Sequence, residues 1–183
     1  VTRGEAYTLQ HFAMVPADVL AGERPLTIVT SMLGHGGLLH LLGNLYFLWL
    51  VGDDLEVRYG HLKFLVLYFV VGLAGQAAVL LTDPTGQAPY LGASGAIAGL
   101  MGMYMVLFPG ARILQYLRFW WRVVPLAMPA WVYFGIWFGM QLLGHFSREG
   151  GVAWWAHIGG FLAGVAVGGV TRALAPGPSS LQR

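Results

Sequence analysis

The sequence predicts an all-α fold, a polytopic transmembrane helix bundle with five visible spans, on three observations. First, only 10% of the 183 residues are charged and 57% are apolar, where soluble domains carry roughly 25% charge. Ten basic and eight acidic residues cannot coat a water-soluble sphere of this size. Second, the charges leave long gaps: none falls between Arg24 and Asp53, nor within 64–82, 84–111, 123–147 or 150–171. A membrane helix needs about 20 mostly apolar residues. Third, the 27 glycines concentrate in those gaps, and small residues let membrane helices approach closely. Disorder is excluded because disordered chains are poor in apolar residues. A net charge of +2 implies no field for nucleic acid, and with no cysteine there are no disulfides or thiolate metal sites.

Taken in order, residues 1–36 are moderately apolar. Leu9, Phe12, Met14, Val15, Val19 and Leu20 suggest a segment lying at the membrane interface rather than crossing it. Arg3, Glu5, Asp18, Glu23 and Arg24 interrupt any signal-peptide pattern there. The membrane domain is expected over 37–174, with spans at about 37–53, 63–82, 94–109, 124–144 and 153–173 and no sheet. The third span is short and enters from outside, with Ser94 at its start and Gly92, Gly95 and Pro109 bounding it. Pro16, Pro25, Pro84, Pro89, Pro109, Pro125 and Pro129 stand at or near the proposed ends, as helix breakers do. Residues 175–183 read as a polar, disordered tail. Gly95, Gly99 and Gly102 form one stripe on the third span, and Gly160, Gly164 and Gly168 another on the fifth. These two helices are therefore expected to pack against each other, or against a common neighbour, at short range.

Alternate loops share a side. One side carries Arg58, Lys63, Arg112, Arg118, Arg122, Arg172 and Arg183; the other carries Arg3, Arg24 and Arg148. The richer side should be cytoplasmic.

Polar residues inside spans are costly and mark functional sites. His40 and Asn44 are one turn apart on the first span. Ser94 lies in Gly92-Ala93-Ser94-Gly95, and His157 near the start of the fifth span. The topology puts all four toward the outward ends of their helices. A serine hydroxyl becomes a nucleophile when a base takes its proton, and histidine is the usual base. The side chains of His40 and Asn44 and the backbone N–H of Ser94 could stabilise an oxyanion. Each residue alone also admits a packing or helix-gluing role; their joint depth favours chemistry. His35 and His40 lack a nearby carboxylate, so no metal site and no cofactor is expected, and His61 and His145 read as solvated.

The motifs Thr30-Ser31-Met32, His35-Gly36-Gly37-Leu38-Leu39-His40-Leu41-Leu42-Gly43-Asn44, Gly52-x3-Glu56, Gly92-Ala93-Ser94-Gly95-Ala96 and Ala156-His157-Ile158-Gly159-Gly160-Phe161-x2-Gly164 resemble the rhomboid family of intramembrane serine proteases, prokaryotic type. The resemblance covers about residues 25–170. It implies a dyad of nucleophile Ser94 and general base His157, with His40, Asn44 and Ser94 lining the oxyanion hole. Gly92, Gly95, Gly160 and Gly164 would support the site. Glu56 would be a structural residue with Arg58 as partner. Three departures stand out. The family core has six spans and five are seen here, so the family's first helix is lacking and would precede residue 1. The position four after the serine, often aromatic in the family and stacked near the imidazole, is Ala98; Trp154 or Trp155 would have to support His157 instead. The Trp-Arg pair that some members carry in the first loop is absent, Trp121-Arg122 lying on the other side.

The implied function is an intramembrane endopeptidase of the prokaryotic inner membrane, with its active site toward the periplasmic side. It would cut single-span transmembrane proteins near their outer ends, with lipid as its other partner and neither nucleic acid nor metal. Trp131, Trp137 and Phe138 of the fourth span are the candidate substrate gate. Two rival classes are a rhomboid-fold pseudoprotease, which would typically lack the Ser or the His, and a small transporter, which would often show internal repeats.

Overall fold

Gly60 divides the first long run of the bundle into two helices. Its φ of 76° lies in the region that glycine enters without steric penalty. It joins α4 (Leu38–Tyr59) directly to α5 (His61–Thr82). In the computed structural model, which describes residues 3–147 and 152–174, three short helices precede this pair: α1 (Arg3–Phe12), α2 (Pro16–Leu20) and α3 (Thr27–Thr30). After it come α6 (Ser94–Leu107), strands β1 (Arg112–Phe119) and β2 (Arg122–Pro129), then α7 (Ala130–Ser147) and α8 (Trp154–Leu174). The fold is a helical membrane bundle. By length and composition α5 and α8 suffice to cross a membrane, and α6 is a shorter apolar helix.

α6 is the axis. Every residue from Gly95 to Tyr104 is buried, so it has no solvent or lipid face over that stretch. α5 and α8 flank it most closely and α4 and α7 complete the ring. The two predicted glycine stripes meet here: a Cβ at Gly160 or Gly164 would overlap the carbonyl of Gly95 or Gly99 across the α6–α8 contact. Such close backbone approach is what small residues supply where lipid removes the hydrophobic drive between helices. Val165 packs against the core beside it.

Polar ties fix the remaining helices. The Tyr104 hydroxyl of α6 donates to Asp54 Oδ2 of α4 at 2.7 Å. The Tyr59 hydroxyl donates to Thr171 Oγ1 of α8 at 3.1 Å. Near the other end, the Tyr68 hydroxyl donates to the Met32 carbonyl (2.9 Å) and Gln76 Nε2 to Ser31 Oγ (3.0 Å). These two anchor the segment before α4 onto α5. Met14 and Tyr90 exchange backbone bonds in both directions, and Gly92 N–H donates to the Ser31 carbonyl. The N-terminal helices thereby hold the loop that leads into α6.

The structure departs from expectation in several places. A sheet is present: β1 and β2 form an antiparallel hairpin running from the pair Arg112–Pro129 to the pair Phe119–Arg122. The fourth span consequently starts at Ala130, not 124. Pro125 and Pro129 lack the N–H that a helix interior needs, while a two-stranded hairpin has only edge strands and tolerates them. Gln115 Nε2 of the hairpin donates to the Tyr46 hydroxyl of α4 (3.1 Å). α4 continues past the expected residue 53 to Tyr59, because Gly60 and not the first acidic residue ends it. Val165 belongs to the packed face of α8, whereas Leu162 is half exposed. The 175–183 tail, Arg148 and Arg183 lie outside the described residues.

Candidate functional site

Ser94 is the first residue of α6. The Ile97 N–H is the first of the helix to close a turn, onto the Ala93 carbonyl; those of Ser94, Gly95 and Ala96 lie in the unsatisfied first turn. Gly92 precedes them with a φ of 141°, strained for any residue with a Cβ. A side chain there would also stand 2.9 Å from Cε1 and Nε2 of His40. Glycine at 92 thus allows the His40 ring to lie against the loop beside the serine.

His157 stands one turn into α8, buried, and the short α6–α8 approach delivers it to Ser94: its Nε2 lies 2.7 Å from Ser94 Oγ. On the ring's other side, Nδ1 lies 2.8 Å from Gln141 Oε1 of α7. Two indoles wall the imidazole: Trp137 is tilted at 5.9 Å between centroids and Trp154 stands edge-on at 6.4 Å. Ala98 itself carries no ring. Of the two tryptophans named as possible supports of His157, Trp154 lies beside the imidazole, while Trp155 packs on His145.

His40 and Asn44 line the same cavity as Ser94 and His157, a space of about 570 Å³ floored by Ile97 and Met101. The Gly36 N–H points at His40 Nδ1 (3.4 Å), which leaves Nε2 to carry the ring proton on the side facing Gly92. Asn44 is buried, and its Nδ2 donates to the His40 carbonyl at 2.8 Å; an amide nitrogen has a second hydrogen still to give. His35 packs edge-on against His40 at 5.2 Å. Burial, and then the neighbouring His40, hold the His35 imidazole below its ordinary value. A hydroxyl on an imidazole, with N–H donors converging beside it, can perform acyl transfer.

All four polar residues singled out in the sequence are therefore brought together. Of the three gate candidates, Trp137 lines the cavity, Phe138 stacks on Phe161 at 4.6 Å, and Trp131 is exposed and away from it. Glu56 sits near the opposite end of α4, its Oε1 2.6 Å from His61 Nδ1. The expected partner Arg58 instead lies over the rings of Tyr59 and Phe108. Residues two apart on a helix do not face each other, whereas the Gly60 turn swings His61 back to Glu56. Gln141 was not singled out from the sequence; the available signal was that it is the lone amide in the charge-free stretch 130–144.

The family model of the rhomboid domain matches residues 22–173. The chain belongs to the rhomboid family. Rhomboid relatives include Rhomboid protein 1, mitochondrial, of Saccharomyces cerevisiae, 31% identical over 164 residues, which are 87% of this chain and 45% of that protein. Rhomboid protease GluP of Bacillus subtilis is 28% identical over 161 residues, 88% of this chain and 30% of its own. Rhomboid-like protease 3 of Toxoplasma gondii is 32% identical over 144 residues, 76% and 49% respectively. This rhomboid chain thus spans less than half the length of each of these relatives. Its family and its apolar helices make it an integral membrane protein.

Proposed function

We propose that this rhomboid is an intramembrane serine endopeptidase that cuts single-span transmembrane proteins near the outer ends of their helices. One observation carries the reading: Ser94 and His157, 63 residues apart, meet through a 2.7 Å Oγ–Nε2 contact inside the bundle. His157 Nε2 accepts the Ser94 proton as Oγ attacks the scissile carbonyl carbon. The resulting oxyanion is received by the Ser94 N–H, His40 Nε2–H and the free Asn44 Nδ2–H. His157 then passes its proton to the leaving amine, and the amino-terminal product stays as an ester on Oγ. Water enters from the outer side, loses a proton to His157 and attacks the ester; the proton returns to Ser94 Oγ as the acid leaves. Substrate residues of low helix propensity near the cut favour exposure of the peptide bond.

In this reading residues 37–174 form the protease domain and residues 1–36 an interfacial segment beside its mouth. Trp137 meets the substrate at the cavity wall, and Glu56 braces the far end of α4. The lysine and arginine asymmetry between the connections supports an outward-facing Ser94, and the similarity to Rhomboid protease GluP of Bacillus subtilis suits a prokaryotic cell membrane.

The test is cleavage of a single-span substrate in proteoliposomes, together with labelling by a fluorophosphonate. Wild type should cleave and be labelled at Ser94, Ser94→Ala should do neither, and His157→Ala should lose most labelling. A chelator should change nothing. Cleavage that persists in Ser94→Ala overturns the assignment, and a folded wild type that neither cleaves nor reacts points to a client-binding pseudoprotease.

A further inference from the structure

We infer that Gln141 is a positioning residue that completes a Ser94–His157–Gln141 hydrogen-bonded chain, an inference resting on the dyad proposed above. Gln141 is buried, with 7% of its surface exposed, and both ends of its amide are engaged. Nε2 donates to the Trp137 carbonyl one turn earlier on α7 at 3.1 Å, and Oε1 faces His157 Nδ1 at 2.8 Å. The orientation of the amide follows from chemistry. A backbone carbonyl can only accept, so the group facing Trp137 must be the NH₂, and the oxygen must face the imidazole. An amide oxygen can only accept in turn, so His157 Nδ1 carries the ring hydrogen. His157 Nε2 is then bare, and the Ser94 hydroxyl at 2.7 Å must be the donor. One backbone carbonyl thus fixes, through three side chains, the single tautomer in which the serine proton can be taken.

Sequence and environment explain why an amide serves here. A carboxylate in the same place would bind the imidazolium more strongly, but whenever the imidazole is neutral it would be a buried charge without a counterion. The amide oxygen orients the ring without that cost. It sits on α7, a helix otherwise free of amide and charged groups from 130 to 144. Trp137 and Trp154 restrict the ring from its face and edge, and Gln141 sets its rotation.

Gln141→Met keeps the length and bulk of the side chain and removes the acceptor. In proteoliposomes, kcat on a single-span substrate should fall about 10- to 100-fold, the worth of one hydrogen bond to an imidazolium formed in the transition state. KM should stay within about two-fold, since the lost bond acts on the transition state rather than on substrate binding, and the melting temperature should be little changed. In wild type labelled with ¹⁵N-histidine, the His157 signal, assigned by its loss in His157→Ala, should report the Nδ1–H tautomer. A wild-type kcat in folded Gln141→Met overturns the inference, as does an Nε2–H tautomer in the wild type. The second measurement decides the matter even if the methionine variant does not fold. Ser94→Ala run in parallel separates the two levels: if it still cleaves, the dyad itself fails, whereas an inactive Ser94→Ala beside a fully active Gln141→Met removes Gln141 alone.

Discussion

Gly164 faces the carbonyl of Gly99 at a range that leaves no room for a methyl group. The obstacle is backbone, not a flexible side chain, so relief requires the two helices to separate, and that separation would draw His157 away from Ser94.

Gly164→Ala should therefore lower both stability and activity, with a stability cost of about 1–3 kcal/mol or more, as for overpacked cores. Leu162→Phe, at a position that is 53% exposed, serves as the control and should leave both near wild type. Thermal melts and cleavage rates of the two variants check this. An unchanged melt and rate in Gly164→Ala would show that the helices part without consequence.

In the proposed mechanism His40→Ala and Asn44→Ala should each reduce kcat far more than they change KM, because there their free hydrogens receive charge that exists only in the transition state. If each acts as an oxyanion donor, the loss is about 2.7–4 kcal/mol, or 10²- to 10³-fold. Steady-state kinetics on a single-span substrate measures both. Turnover that survives both substitutions would exclude these side chains from the reaction.

Gly92→Ala adds one carbon at a φ of 141°, 2.9 Å from the His40 ring. The ring must turn away, so activity should drop to about the level of His40→Ala, while the helical circular dichroism stays that of wild type. Activity close to wild type would mean that the ring position is not what glycine protects.

His35 supplies the pH prediction. Burial first, and His40 second, hold its imidazole below the ordinary value of 6.5. The folded chain therefore binds fewer protons at this site than the unfolded chain does below about pH 6.5. The contribution to stability is complete above that pH and is lost as the pH falls toward the lowered folded value. Melting temperature should drop between pH 7.5 and pH 5, and His35→Gln should flatten that drop. An identical acid limb in the variant would show that other groups carry it.

The sequence made the site legible because lipid makes polar residues conspicuous. His40, Asn44, Ser94 and His157 each stand out in an apolar run, and their depths agree once the loops are placed. Gln141 is equally conspicuous as a lone amide, but an amide in a span serves helix packing as readily as chemistry, and its sequence position does not show that it reaches His157. The β1–β2 hairpin was hidden for a different reason. Hydropathy reports burial in lipid or core without distinguishing helix from strand, and Val123-Val124-Pro125 is as apolar in the hairpin as it would be in a span. The pairing of Glu56 with His61 depended on the turn at Gly60, which no helical spacing rule describes.

The length of α6 has a consequence for the bilayer. Fourteen residues make a helix of about 21 Å, against a hydrocarbon thickness of about 30 Å. A lipid-facing helix this short would have to thin the membrane around itself. α6 is instead enclosed by longer neighbours, so the shortfall is shielded from acyl chains. The cavity lined by Ser94, His157, His40 and Asn44 opens at the start of this short helix, and in the proposed protease bulk water would reach Ser94 there without perforating the membrane.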